Sequence, residues 1–179
     1  TSGKNLTLGS AAVTVPAGDI TLIARTGSVR VAPGADINVA SGATGGTAGN
    51  LAIYAGGPVG LSGTLRGDAA DAGRSGGFQL YAGQGADFAA LNAALEQGGF
   101  ARRRDIEVGA GDINVAAGTA VHAQQVILAA SGQTLDNGVS RDARVDVAGT
   151  IDAGAPGGGG VTLAARGDVL LQSGATVNA

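Results

Sequence analysis

Five segments of the chain carry an apolar residue at every second position. In each segment the first, third and fifth positions are apolar, and the fifth is always alanine. A period of two predicts a β-strand with one buried face. The five segments are 20–24, 51–55, 78–82, 126–130 and 161–165.

Shorter segments of three residues, with an apolar residue at both ends, lie between the longer ones. Strands this short do not form a stable hairpin sheet by themselves. We therefore predict that each pairs with its equivalent in the repeats before and after it. These triplets are 29–31, 37–39, 59–61, 113–115, 121–123, 145–147, 151–153 and 169–171.

The same unit recurs along the chain, because the five longer segments begin at intervals of 31, 27, 48 and 35 residues. Repeats of this kind build solenoids in which each turn covers its neighbours, and the longest interval is predicted to hold two of them. The predicted fold is all-β, a single right-handed parallel β-helix of about seven coils over residues 1–179. An antiparallel sandwich is the alternative, although it favours longer strands and bulkier core residues.

One segment has helical periodicity instead. Its apolar residues, spaced by three and four positions, are Phe88, Leu91 and Leu95. Asp87 is suited to cap the helix N-terminus, and Gly98 is suited to end the helix. The pattern predicts one short α-helix at about 87–98, within an insertion at 83–104.

A helix of about three turns is marginal alone in water, so it is expected to pack against the strands. Ile23, Tyr54 and Tyr81 share the outward-facing fourth position of the repeat. Without a cover they would form an exposed apolar column. We expect the helix to cover this column, which would leave neither tyrosine available as a platform for a sugar.

Composition favours thin stacked layers over one thick core. Glycine accounts for 34 of the 179 residues and aromatic residues for 3%, whereas 44% of residues are hydrophobic. Disordered chains combine low hydrophobicity with high net charge, and this chain has a net charge of −3. The absence of cysteine excludes disulfides and thiolate metal sites, and the mild acidity gives no electrostatic basis for binding nucleic acid.

Two groups of segments share a glycine-rich pattern. The first comprises 88–100, 103–108 and 111–115, and the second comprises 147–153, 158–165 and 167–169. Together they resemble filamentous-haemagglutinin-like exoproteins, over about residues 20–179. The resemblance implies a parallel β-helical fibre, exported through an outer-membrane transporter by two-partner secretion, with roles in adhesion, cell contact or surface signalling. The chain opens with Thr1, Ser2 and Gly3 and has no methionine, so we expect an internal fragment. The family's N-terminal secretion domain is not evident, so the fragment need not contain the export signal.

Two Arg-Gly-Asp triplets occur, one at Arg66, Gly67 and Asp68 and one at 166–168. On a protruding loop such a triplet can bind integrins, which would suit an adhesin. The second triplet follows a predicted strand as an ordinary turn, which explains its glycine and aspartate. The first triplet lies in a looser loop and is the better candidate for binding a partner.

Three adjacent arginines, Arg102, Arg103 and Arg104, form the main charge cluster, beside Asp105 and Glu107. Such a cluster can hold a phosphate or a uronate, so these arginines are candidates for partner binding. The simpler interpretation is a solvated turn that enters a strand and opposes aggregation.

Catalysis has little support in the sequence. β-Helical polysaccharide lyases and hydrolases need carboxylates, or a basic side chain, converging in one groove. His122 is the sole histidine, which argues against a metal cluster. We therefore expect a protein that is not an enzyme and that holds no metal or cofactor. The carboxylates that stacking could bring together are Asp105, Glu107, Asp112, Asp146 and Asp152.

The predicted function is that of a rigid scaffold or adhesin stalk, secreted to the bacterial outer surface. Loops would bind a host or bacterial surface receptor, and exposed strand edges predict end-to-end self-association. A carbohydrate-active β-helical enzyme and a self-assembling extracellular fibre subunit are the alternatives. The loops in question are 41–50, 67–77, 83–104 and 133–144.

Overall fold

A computed structural model describes residues 5–8, 11–14, 16–42, 45–71, 74–134, 140–154 and 158–179. These ranges are mostly β-structure with one short helix, α1 (Phe88–Gln97). The strands are β1 (Asn5–Leu8), β2 (Ala11–Thr14), β3 (Ile20–Ala24), β4 (Val29–Val31), β5 (Asp36–Asn38), β6 (Asn50–Ala55), β7 (Val59–Leu61), β8 (Thr64–Arg66), β9 (Gly77–Ala82), β10 (Arg103–Val108), β11 (Ile113–Val115), β12 (Ala120–His122), β13 (Gln125–Ala130), β14 (Gln133–Thr134), β15 (Ser140–Arg141), β16 (Val145–Val147), β17 (Thr150–Asp152), β18 (Gly160–Ala165), β19 (Val169–Leu171) and β20 (Thr176–Asn178).

The long strands form one parallel sheet in the order β3, β6, β9, β10, β13 and β18, so each pairs with the long strand before it in the chain. All five strands predicted from the alternation are confirmed in this sheet. The sixth, β10, falls inside the longest interval and confirms that this interval holds two repeats. We call each long strand, with the residues up to the next one, a unit. Within the described ranges there are six units, beginning at residues 20, 50, 77, 103, 125 and 160, rather than about seven.

The short strands pair with short strands of neighbouring units, also in parallel. Units 1 and 2 contribute the pairs β4–β7 and β5–β8, and units 4 to 6 contribute the sheets β11–β16–β19 and β12–β17–β20. The predicted triplets are confirmed to within one residue, whereas β8 and β20 escape the pattern because polar residues stand at both their ends. Antiparallel pairing of strands is confined, in the described part of the chain, to β1–β2 and β14–β15. The sandwich alternative is therefore wrong.

One core cluster runs through the units. Its third-position column consists of Leu22, Ile53, Leu80, Ile106, Leu128 and Leu163, which stack in register. The middle of this column is fully buried, and its two ends are half-buried because one neighbouring unit covers each of them. Burial therefore depends on the units above and below.

Close stacking also dictates the turn residue before the last strand of units 2 and 5. A Cβ at Gly149 would lie 2.4 Å from the Thr119 carbonyl oxygen, and one at Gly63 would lie 2.6 Å from the Ala35 carbonyl oxygen. Both contacts are shorter than real Cβ atoms show. These two turns therefore accept no larger residue without a shift of the backbone.

The helix α1 takes the place of two short strands in unit 3. It follows β9 and contacts β7 and β8 of unit 2 and β11 and β12 of unit 4. Its apolar face consists of Phe88, Leu91 and Leu95, which are buried in the core cluster. The helix thus occupies the part of unit 3 in which other units have short strands, and the insertion at 83–104 stays a prediction. The last two residues of that range belong to β10.

The ends of α1 agree with the prediction. The Ala90 N–H donates to the Asp87 carboxylate across 3.0 Å, which caps the first turn. Gly98 ends the helix, and the following Gly99 has φ +70°, where a residue with a Cβ would be strained.

Candidate functional site

The arginine cluster is divided by the β-structure, because alternate residues of β10 face opposite sides of the sheet. Arg104 pairs in register with Phe78 and Val126 and faces the core, where it is 1% exposed. Its Nε donates to the Phe100 carbonyl oxygen (2.8 Å), and its Nη1 donates to Asn92 (2.9 Å) and Glu96 (2.7 Å). The expectation of a solvated Arg104 available to a partner is therefore wrong.

The side chains of Arg102 and Arg103 bond to different partners. Arg102 donates to the Ser75 carbonyl oxygen (3.0 Å) and to the Asn50 side chain (2.6 Å). Arg103 donates to Gln125 (2.7 Å) and Asp105 (2.7 Å). Each guanidinium is already engaged within the protein, so the three arginines do not form one anion site.

Two polar side chains on α1 form hydrogen bonds with the backbone at the edge of β12. Asn92 donates to the Ala120 carbonyl oxygen across 2.8 Å, and Glu96 accepts from the His122 backbone N–H across 2.9 Å. The backbone N–H and carbonyl groups of residues 120 and 122 point towards α1, because β12 bonds to β17 through the backbone groups of the alternate residues. The helix side chains thus supply hydrogen bonds that a neighbouring strand would otherwise provide.

Glu96, which is partly exposed, and Arg104, which is buried, form an ion pair in this cluster. Burial works against ionisation of Glu96, but the hydrogen bond and positive charge of Arg104, together with the hydrogen bonds from His122, lower the pKa of Glu96 below its ordinary 4.5. Burial lowers the pKa of Arg104, and Glu96 opposes that shift. An arginine remains charged at neutral pH, so a charged pair joins α1 of unit 3 to β10 of unit 4. The sequence signal for β10 was the alternation at residues 104, 106 and 108. It was missed because the first of these core positions is an arginine and not an apolar residue.

The first Arg-Gly-Asp triplet does not protrude. Arg66 belongs to β8 and pairs with Asp36 across 3.1 Å. Gly67 is buried against the Phe100 ring, and a Cβ there would lie 2.7 Å from that ring. Asp68 is exposed at the edge of a cleft of about 400 Å³ between β8 and α1. A buried central glycine leaves the triplet without the extended tip that an integrin ligand requires.

The second triplet is the turn after β18, as expected. The Gly167 N–H donates to the Ala143 carbonyl oxygen, and the Asp168 carbonyl oxygen accepts from Val145. Arg166 pairs with Asp142 across 3.6 Å. This triplet is therefore part of the contact between units 5 and 6.

Stacking does not bring the candidate catalytic carboxylates from different units together. Asp146 lies opposite Asn114 and Leu170 in one sheet, and Asp152 lies opposite His122 and Asn178 in another. Asp112 pairs with Arg144 across 3.2 Å. Asp105 and Glu107 share the outer face of β10, where they bond to Arg103 and Ser131 respectively.

The outer face of the six-stranded sheet carries an open apolar column. Ile23, Tyr54 and Tyr81 lie side by side in register on β3, β6 and β9. Ile23 is 62% exposed and Tyr81 is 41% exposed. The expectation that α1 covers this column is wrong, because the helix is needed to fill the core on the opposite side of the unit. We call this feature the tyrosine column.

A cleft of about 360 Å³ is lined by the tyrosine column and by Arg25. Arg25 follows β3 directly, and Gly56 follows β6 at the equivalent position. Glycine is required there, since a Cβ at Gly56 would lie 2.2 Å from the Arg25 carbonyl oxygen. The lack of a side chain at that position leaves the cleft open. The lining residues are Ile23, Ala24, Arg25, Tyr54, Ala55, Gly56 and Tyr81.

Other kinds of site are not evident in the described ranges. No group of three or more His, Asp or Glu residues there is placed to hold a metal ion. Nor does any helix in those ranges have the length and hydropathy to cross a bilayer. Comparison with known proteins found no matching family model, no similar curated protein and no similar solved structure.

Proposed function

We propose that this chain is a segment of a secreted, right-handed parallel β-helical exoprotein that acts as a rigid scaffold or adhesin stalk on the bacterial outer surface. The observation that carries the proposal is the in-register parallel stacking of six long strands, together with parallel short strands that stack between neighbouring units in five of the six. In this proposal each unit is one coil. At about 4.8 Å per strand spacing, six coils span roughly 29 Å.

Such a stack is mechanically a stiff spacer. Each coil buries its apolar side chains against the next, so stability comes from contacts between neighbours. The last coil leaves Leu171 60% exposed and Val177 38% exposed. A further coil, either from the parent protein or from a second copy, would cover these side chains. End-to-end self-association is part of the proposal for this reason.

The resemblance to filamentous-haemagglutinin-like exoproteins supports the same location. It implies export through an outer-membrane transporter of two-partner secretion, and a surface receptor on a host or bacterial cell as the partner. We propose neither a nucleic-acid partner nor a catalytic role. Regular coils supply the scaffold, and the outer sheet face and the loops supply the contact surface.

Antibodies raised against the purified chain test the surface location. Intact cells of the source organism should be labelled without permeabilisation, or the antigen should be found in the culture medium. A periplasmic protein, labelled only after the outer membrane is opened, serves as the control. Labelling of the chain only under that condition would contradict the proposal.

Two alternatives have tests of their own. A carbohydrate-active enzyme is favoured only by Asp105 and Glu107, which share one strand face two residues apart. Release of reducing ends or unsaturated products from a panel of polysaccharides would establish it. A fibre subunit is favoured by the exposed end coil, and electron microscopy of concentrated purified chain should then show filaments.

A further inference from the structure

The tyrosine column has the form of a ligand platform. Tyr54 and Tyr81 are paired in register on adjacent strands. The backbones of such strands are about 4.8 Å apart. Ile23 extends the same apolar surface by one strand. A tyrosine joins a flat apolar ring to a polar hydroxyl, which suits a ligand that has both an apolar face and hydroxyl groups.

The polar groups around this platform are mainly hydrogen-bond donors. The Tyr54 hydroxyl donates to the Gln79 side-chain oxygen across 2.8 Å, which leaves the Gln79 amide NH₂ directed away from that bond. Among the described residues, neither the Tyr81 hydroxyl nor the Arg25 guanidinium has a partner. No carboxylate lines the cleft. Glu107 lies next to Tyr81 in register but accepts from Ser131.

This distribution of charge selects an anion with acceptor groups. Arg25 stands at one end of the cleft as an unpaired cation, and a guanidinium matches a carboxylate with two parallel hydrogen bonds. Glu107 stands beyond the other end and would repel a carboxylate there. Sites of this type combine an apolar surface with a few placed polar groups.

We propose that the cleft binds a carboxylated polysaccharide, with a uronate carboxylate on Arg25 and the faces of the sugar rings over Tyr54 and Tyr81. A chain of uronic acids carries the three required features in each residue, namely an apolar ring face, hydroxyl groups and a carboxylate. The proposal deepens the proposed surface function by naming its partner class. The binding assay needs only the purified chain, so its failure would leave the result of the surface labelling unaffected.

The chain carries its own probe, because its only tyrosines are Tyr54 and Tyr81 and it has no tryptophan. Tyrosine fluorescence of the purified chain should change in a saturable way on titration with a galacturonate oligosaccharide. The fully methyl-esterified oligosaccharide keeps the rings and removes the charge, and it should bind at least tenfold more weakly. Added salt should weaken the binding of the free acid, because Arg25 is exposed.

Paired variants locate the site. Arg25→Gln and Tyr81→Ala should each weaken binding of the free acid at least tenfold. Arg30→Gln, at an exposed arginine on a different sheet, should leave the affinity unchanged. Leu171→Ala, at an exposed apolar residue of the last unit, is the control for Tyr81. Thermal melting of each variant separates loss of binding from loss of fold.

Several outcomes would overturn the inference. One is equal affinity for the free acid and its ester, or an Arg25→Gln variant that binds as well as the parent chain. Another is an equal loss in Arg30→Gln, which would indicate non-specific attraction. Absence of a saturable change at millimolar oligosaccharide would also overturn it, as would tighter binding of an acidic peptide than of the oligosaccharide.

Discussion

Units 3 and 4 are neighbours in the stack, yet they cover the core in different ways. Unit 4 uses β10, β11 and β12, whose backbones bond to the strands of unit 5. Unit 3 uses β9 and then α1, whose backbone bonds are internal to the helix. The strand edges that face α1 therefore lose their backbone partners. The comparison teaches that a helix can replace two strands in the stack, and that its side chains can supply part of the missing hydrogen bonds.

The two sides of α1 differ in how many hydrogen bonds their side chains make to the neighbouring strands. Towards β12, Asn92 and Glu96 bond to the free strand edge. Towards β7 and β8, the facing residues include Ala90, Leu91 and Ala94, and clefts of about 170 and 400 Å³ remain. The helix is thus secured mainly against unit 4. Four variants or conditions test this comparison.

Glu96→Ala should have the largest effect. It leaves Arg104, 1% exposed, without its counter-charge, and loss of one member of a buried pair costs about 3–5 kcal/mol. Gln97→Ala on the same helix is exposed and should change the unfolding free energy by less than about 0.5 kcal/mol. Urea unfolding measures both, and similar losses in the two variants would contradict the role of the ion pair.

Leu95→Ala should follow, since Leu95 is fully buried. A buried Leu→Ala change costs about 2–5 kcal/mol. Leu128→Ala makes the same change in an all-strand unit. Hydrogen exchange should accelerate mostly in α1 for the first variant and in β13 and its neighbours for the second. An identical exchange pattern in both variants would mean that unit 3 has no independent stability.

Gly149→Ala tests the all-strand unit, with an expected loss of about 1–3 kcal/mol. The added Cβ would lie 2.4 Å from one backbone oxygen and 2.5 Å from another, which overpacks the turn. Gly60→Ala, in β7, has no atom within 4 Å of the added Cβ and should be neutral or slightly stabilising. Melting temperatures compare the two, and an unaffected Gly149→Ala would show that the stacked turns can yield.

Titration of Glu96 should have the smallest effect on the unfolding free energy near neutral pH. The folded pKa of Glu96 lies below 4.5, so its contribution to stability is complete above pH 4.5 and is lost as the pH falls through the folded pKa. Glu96→Gln should therefore flatten the slope of unfolding free energy against pH below 4.5. Gln97→Ala should keep the slope of the parent chain, and an unchanged slope in Glu96→Gln would contradict the assignment.

Local pattern was sufficient for most of the long strands and for the helix. Alternation located β3, β6, β9, β13 and β18, and the spacing of apolar residues located α1 with its Asp87 cap. These features depend on neighbours two to four residues apart, which is the range over which a side chain selects a strand or a helix. Parallel pairing between units also followed, because triplets this short need partners from other repeats.

Tertiary structure alone decided what the side chains do. Arg104 became a core residue because β10 pairs with β9 and β13, and its charge is tolerated because α1 brings Glu96 to it. The tyrosine column stayed open because α1 fills the opposite side of unit 3. Both outcomes depend on which units lie above and below, and residues that pair between units, such as Phe78 and Arg104, are about one full repeat apart in the chain. The sequence by itself determined the repeating strands and the helix, while the stacking of units decided which charge is buried and which aromatic side chains stay exposed.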